Sequence, residues 1–80
     1  MNPSAKITYT IGLPGQVKLR IFDVRGRVVR TLVDESKGVG EHVVEWDGRD
    51  DQGRSVSSGV FTYRLEAPGF GGSKKIVILR

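Results

Sequence analysis

The sequence predicts an all-β fold, an antiparallel β-sandwich of six or seven short strands. Three observations carry that expectation. Apolar and polar residues alternate in one segment after another, and no stretch keeps a helical period. Eleven glycines and three prolines punctuate 80 residues, which requires many turns and hence many short strands. Finally, an alternating segment ends on Trp46 and drops into a loop of Asp and Gly, Asp47-Gly48-Arg49-Asp50-Asp51-Gln52-Gly53-Arg54. A second alternating segment then leaves from Ser58-Gly59 through Val60-Phe61-Thr62-Tyr63-Arg64-Leu65.

Ile7, Tyr9 and Ile11 alternate with Thr8 and Thr10 in the first strand. Leu13-Pro14-Gly15-Gln16 reads as a type II turn, with proline presetting φ and glycine accepting a positive value. Val17, Leu19 and Ile21 alternate with Lys18 and Arg20 in the second strand, and Asp23-Val24-Arg25-Gly26-Arg27 forms a tight hairpin with Gly26 left-handed. The third strand is expected from about Arg27 to Val33. Its apolar residues Val28, Val29, Leu32 and Val33 fall on both faces, so the strand is either covered on both sides or twisted by a bulge. Asp34-Glu35-Ser36-Lys37-Gly38 reads as a polar link. In the fourth strand His42, Val44 and Trp46 share a face, which makes the single histidine a partly buried packing residue. A short strand near Ser55-Val56 is the optional seventh. Phe61, Tyr63 and Leu65 line one face of the next strand, opposite Thr62, Arg64 and Glu66, and Pro68-Gly69-Phe70-Gly71-Gly72 is a hairpin tip. The last strand runs from Lys74 to Arg80. Its run Ile76-Val77-Ile78-Leu79 is apolar on both faces, as in a central strand or an edge that meets a partner. Two stacked sheets bury these faces, with Trp46, Phe61 and Tyr63 as the central cluster. The 80 residues form a single domain, residues 1–80, with no linker and no internal repeat.

Composition narrows the function classes. A 38% apolar content with six aromatic residues belongs to a folded chain, not a disordered one. No cysteine is present, so packing and sheet ladders must hold a thin core without disulfides. The net charge of +4 is scattered over Lys18, Arg20, Arg25, Arg27, Arg30, Arg49, Arg54, Lys74, Lys75 and Arg80, as on solvated outer faces. A polyanion-binding stripe is the rival reading, but the aromatics that would stack on bases fall on the core faces, so no nucleic-acid partner is expected. No signal peptide or transmembrane segment is visible. Met1 directly before Asn2-Pro3 reads as a start codon placed on an excised domain.

Catalysis is not expected. The serines lie in turns, His42 is alone, and so small a sandwich leaves little room for a cleft. Asp47, Asp50 and Asp51 are the one candidate metal cluster: three carboxylates in five residues, flanked by glycines, offer oxygen ligands for Ca²⁺. The spacing is not that of an EF-hand. The competing reading, which is preferred, has the aspartates cap the turn while Arg49 or Arg54 neutralises them. No cofactor is otherwise expected, since zinc, haem and nucleotide sites lack their ligands or loops. A carbohydrate-binding module would need a flat row of exposed aromatics, for which Phe22 and Phe70 are the only candidates.

The whole chain resembles two related groups of bacterial Ig-like domains: the C-terminal sorting domain of the type IX secretion system and the Ig-like domain of the flagellar hook-capping protein. Asn2-Pro3-Ser4 before a Thr-rich strand looks like the opening motif. Ile21-Phe22-Asp23-Val24-Arg25-Gly26-Arg27 looks like the central motif, with Phe22 where tyrosine is usual. Ser58 to Leu65, backed by Lys74-Lys75-Ile76-Val77-Ile78, looks like the terminal motif. The Trp46 to Asp51 segment is shared with the hook-capping group and with many sorting domains. The resemblance implies an Ig-like sandwich at the C-terminus of a larger exported protein, secreted to the outer cell surface. Its partners would be the parent cargo and the secretion translocon proteins that read the folded domain. The alternatives are a structural spacer or assembly module of the hook-capping kind, and a subunit that self-associates through its sheet edges. A receptor can add a strand to a sheet edge or clasp a terminal hairpin. Asp23, Gly26 and Arg27, with Lys74 and Lys75, are therefore the candidate recognition residues. The alternative for the same residues is that Gly26 serves the turn and the apolar stripe serves the core.

Overall fold

A computed structural model of the protein describes residues 4–79. Six strands follow one another: β1 (Ala5–Ile11), β2 (Gly15–Phe22), β3 (Val28–Lys37), β4 (Gly40–Trp46), β5 (Gly59–Ala67) and β6 (Phe70–Ile78). All pairings are antiparallel, in two sheets ordered β1-β4 and β3-β2-β5-β6. The all-β Ig-like antiparallel sandwich is therefore observed, and among the described residues it contains no helix. The expected seventh strand shrinks to a lone bridge between Arg49 and Ser55. Met1, Asn2 and Pro3, at the start of the opening motif, and Arg80, the end of the expected last strand, lie outside the described residues.

Alternation in the sequence becomes alternation between core and solvent. Ile7, Tyr9 and Ile11 of β1, Val17, Leu19 and Ile21 of β2, and Phe61 and Leu65 of β5 all point inward and are buried. Val33, Trp46 and Ile78 complete the core. Trp46, at 0% exposure, meets Phe61 edge-on across the sandwich at a ring distance of 5.2 Å. Tyr63 shares the inward face but stays half-buried, nearer the open side of the sandwich. His42 faces inward beside Val44 and Trp46, stacked on Tyr9 at 5.4 Å, and its Nε2 lies 2.8 Å from the Gly38 carbonyl.

Three expectations shift and one open alternative is decided. The link before β2 is not a type II turn, because Gly15 takes φ +152° instead of the roughly +80° that turn needs, and it already begins β2. A side chain at Gly15 would also bring its Cβ within 2.7 Å of Pro68 Cγ. The polar stretch 34–37 is strand, not link. Gln16 Nε2 donates to Asp34 Oδ1 at 2.9 Å and Lys37 pairs with Glu35 at 2.9 Å, so polar side chains brace this extension of the hairpin. β6 begins at Phe70, because Pro68-Gly69 alone makes the turn and Ala67 pairs directly with Phe70. Of the two explanations for the apolar β3, the bulge is correct. Register shifts against β2 leave Leu32 and Val29 as extra residues, and both pack against the core.

A domain of this size is stabilised by roughly 4–12 kcal/mol in total. Leu19 is fully buried between Val33 and Leu65, its neighbours in register. Leu19→Ala is expected to cost about 3 kcal/mol. Urea unfolding followed by the emission of Trp46 measures it.

Candidate functional site

Two turns of the same build stand at one end of the sandwich. In the first, Asp23 Oδ1 accepts the N–H groups of Arg25 (2.9 Å) and Arg27 (3.0 Å), and Arg27 Nε donates to Asp23 Oδ2 at 3.1 Å. Asp23 N–H donates to the Arg27 carbonyl, and Gly26 N–H to the Asp23 carbonyl, both at 3.0 Å. In the second, Asp50 Oδ1 accepts Gln52 (3.0 Å) and Arg54 (2.9 Å) N–H groups, and Arg54 Nε donates to Asp50 Oδ2 at 3.3 Å. Asp50 N–H donates to the Arg54 carbonyl (2.8 Å) and Gly53 N–H to the Asp50 carbonyl (2.9 Å). Gly26 and Gly53 hold φ of +82° and +86°, a region costly for any side chain. The shared pattern is Asp-x-x-Gly-Arg, at 23–27 and 50–54. It is an internal repeat that a search for longer periods passes over. Both turns line one cleft of about 580 Å³, floored by Val28, Val29, Val56 and Phe61.

The aspartate loop serves the strands beside it. Trp46 Nε1 donates to the Arg49 carbonyl at 2.9 Å, and Asp47 Oδ1 accepts the Arg49 N–H at 3.1 Å. Asp51 lies along the β3 edge: its Oδ1 accepts the Thr31 N–H at 3.0 Å, and its own N–H donates to the Val29 carbonyl at 3.0 Å. Arg30 reaches from β3 to the Arg49 carbonyl (3.3 Å) and to Asp47 Oδ1 (3.5 Å). Asp47, Asp50 and Asp51 thus face backbone N–H groups and arginines, with Arg30 lying 3.5 Å from Asp47 Oδ1 and 3.9 Å from Asp51 Oδ1. Among the described residues no three His, Cys, Asp or Glu side chains are grouped to hold a metal ion.

The recognition candidates divide between two faces. Asp23 and Gly26 share a cleft of about 410 Å³ with Phe22, Thr62, Arg64 and Ser73 on the outer face of the larger sheet. Lys75 pairs with Thr62 and belongs to that outer face, whereas Lys74 pairs with Tyr63 and points to the inner side. Both lysines are exposed at a sheet edge. Arg27 faces the first cleft, opposite Arg54. The outer face also carries Arg20 and Arg64 side by side in register, and Glu66 Oε1 lies 2.9 Å and 3.6 Å from them. Phe22 sits on that face beneath the Arg20 guanidinium, while Phe70 lies on the inner face. The two therefore make no flat aromatic row, which removes the structural basis for a carbohydrate-binding face.

The family model described as "FlgD Ig-like domain" matches residues 4–69. The chain belongs to that family. This is a structural, non-enzymatic family whose domains mediate protein–protein assembly. No curated protein sequence matches the chain. Among solved structures, FlgD from Xanthomonas campestris, a protein of hook capping in flagellar assembly, is similar at 27% identity and a TM-score of 0.66, over 95% of this chain and 56% of that one. FlgD from P. aeruginosa is similar at 18% identity and a TM-score of 0.67, over 95% and 61%. Dimeric latent PorU from Porphyromonas gingivalis is similar at 22% identity and a TM-score of 0.74, over 99% of this chain and 8% of that one. The chain thus spans under two thirds of each of these proteins.

Two predictions follow from the turns. Asp23 and Asp50 titrate below their ordinary 3.8, first because a backbone N–H, from Arg27 and Arg54 respectively, favours the carboxylate. A lowered folded-state pKa adds stability above 3.8 that disappears as pH falls through the folded value. Asp23→Ala and Asp50→Ala are expected to lower the melting temperature near neutral pH and to converge on the parent in strong acid. Thermal melts across pH, followed by circular dichroism, read both. A second set of melts with Ca²⁺ and with chelator is expected to show one unchanged midpoint, since the carboxylates of the 47–51 loop already have protein partners.

Proposed function

We propose that this Ig-like domain is the C-terminal address of a larger exported protein, read by type IX secretion translocon proteins and displayed at the outer cell surface with its cargo. The observation that carries the reading is the pair Lys74 and Lys75. They stand exposed on an edge strand of an FlgD-type domain, and neither has an ion-pair partner among the described residues. Edge strands bearing free cations offer main-chain pairing and charge together. The outer-face cleft of Asp23 and Gly26, adjoining Lys75, supplies a second contact, and Arg27 a third. The likeness to PorU, a protein of Porphyromonas gingivalis, supports the reading at the level of fold.

A second reading is favoured by the family itself. An FlgD-type domain serving as a structural assembly module, without any sorting role, fits the same architecture. Self-association through open sheet edges belongs with that reading. Among the described residues no helix is long and apolar enough to cross a membrane.

Fusion to a reporter in a type IX-competent cell separates the two. Export with cleavage of the domain is expected under the sorting role, and retention supports the assembly module. Lys74→Glu with Lys75→Glu is expected to reduce export while leaving the melting temperature within a few degrees, since exposed charges contribute little to stability. Full export of the folded double variant removes the lysines from the recognition surface.

A further inference from the structure

The two sheets are unequal. Two strands lie over four, and neighbouring strands sit about 4.8 Å apart, so the smaller sheet leaves part of the larger one uncovered. Burial along the inward face of β6 shows where. Ile78 is 2% exposed, Ile76 is half-buried, Lys74 and Gly72 are exposed, and Phe70 is 58% exposed. At that uncovered end a trough of about 360 Å³ runs between β1 and β6. Its floor is Tyr63, Leu65 and the Phe70 ring, which folds back over Gly72, where a Cβ would meet it at 3.5 Å. One wall is the Thr8–Thr10 stretch of β1, and the other carries Lys74.

β1 pairs with β4 on one side and with nothing on the other. Its free side presents a row of backbone N–H and C=O groups, a template for a further strand. The four-stranded sheet differs at its β3 edge, where bulges and the Asp51 bonds to Thr31 and Val29 interrupt the template. The trough is thus open on three counts at once: hydrogen-bonding backbone, apolar floor, and a cation without an ion-pair partner among the described residues.

We infer that the trough takes an extended segment of another polypeptide, which pairs with the free edge of β1 and carries apolar residues and an acidic residue together on the face turned to the larger sheet. The apolar side chains cover Phe70 and Tyr63, and a carboxylate meets Lys74. These contacting residues fall at every second position, because successive side chains of an added strand point to opposite faces and Lys74 shares the inner face with Tyr63 and Phe70. A strand in this position extends the smaller sheet to three and covers the inner face of β6. The inference concerns how a partner docks, and it stands under either functional reading above.

The test uses two end-blocked peptides of seven residues, the length of β1, with threonine at every second position: between the threonines the first carries two valines and a glutamate, the second two valines and a lysine. Amide hydrogen exchange and chemical shifts are followed by NMR on the whole domain. The valine–glutamate peptide is expected to slow exchange at backbone amides of Thr8–Thr10 and to shift the Phe70 and Tyr63 ring signals. Lys74→Glu is expected to weaken that peptide about fivefold or more and to reverse the preference toward the valine–lysine peptide. Phe70→Ala is expected to weaken both peptides while leaving β1 folded. Protection of the β3 or β6 outer edges instead of β1 overturns the inference, as does equal binding of both peptides by the parent domain. Protection of the same β1 amides on raising protein concentration alone, without peptide, also overturns it and makes the occupant a second copy of the chain. Export of the reporter fusion is scored separately, so loss of peptide binding and loss of sorting are distinguishable.

Discussion

Trp46 is the constraint on which most of the molecule depends. It is the largest fully buried side chain, contributed by the smaller sheet and packed edge-on against Phe61 of the larger one. Burying an indole obliges its N–H to find an acceptor, and the acceptor is the Arg49 carbonyl three residues on. That bond folds the aspartate loop back beneath the end of β4. The loop then presents Asp51 to the edge of β3 and the Arg49 carbonyl to Arg30. One apolar burial thereby fixes the spacing of the sheets, the path of the loop and the closure of a sheet edge.

The strands were legible because their faces differ in polarity at period two. Ile7-Tyr9-Ile11, Val17-Leu19-Ile21 and Phe61-Leu65 announce which residues face the core, and Trp46 with Phe61 sits where those patterns place it. What failed was at places where polarity no longer tracks burial. Residues 34–37 are polar on every side yet extended, because their main chain pairs with residues 15–18 of β2 while a carboxamide–carboxylate bond and an ion pair steady the side chains. Local turn chemistry predicts a type II turn at Gly15, whereas its backbone lies against Pro68 of a distant hairpin. Tyr63 continues an inward pattern but lies where the covering sheet runs out, which no alternation can reveal.

The candidate site was legible in identity and not in arrangement. Asp23, Gly26 and Arg27 do form one turn, and Asp47, Asp50 and Asp51 do form one loop. Their separation into backbone-binding carboxylates follows from the placement of N–H donors, which the sequence leaves unspecified. The opposite facing of Lys74 and Lys75 was implicit in their adjacency on a strand. That one of them overlooks a gap in the sandwich depends on how many strands each sheet recruits, and this is set by three-dimensional pairing.

The paired Asp-x-x-Gly-Arg turns have a further consequence. Apart from the Arg49 guanidinium, which donates to the Gly53 carbonyl at 3.2 Å, the bonds that shape each turn run among its aspartate, glycine, arginine and the main chain. The side chains of Val24 and Arg25 in one, and of Gln52 in the other, take no part in that scaffolding. The architecture thus separates frame from display: those tips can be rewritten chemically, and new specificity installed at one pole of the domain, without renegotiating the geometry that holds them up.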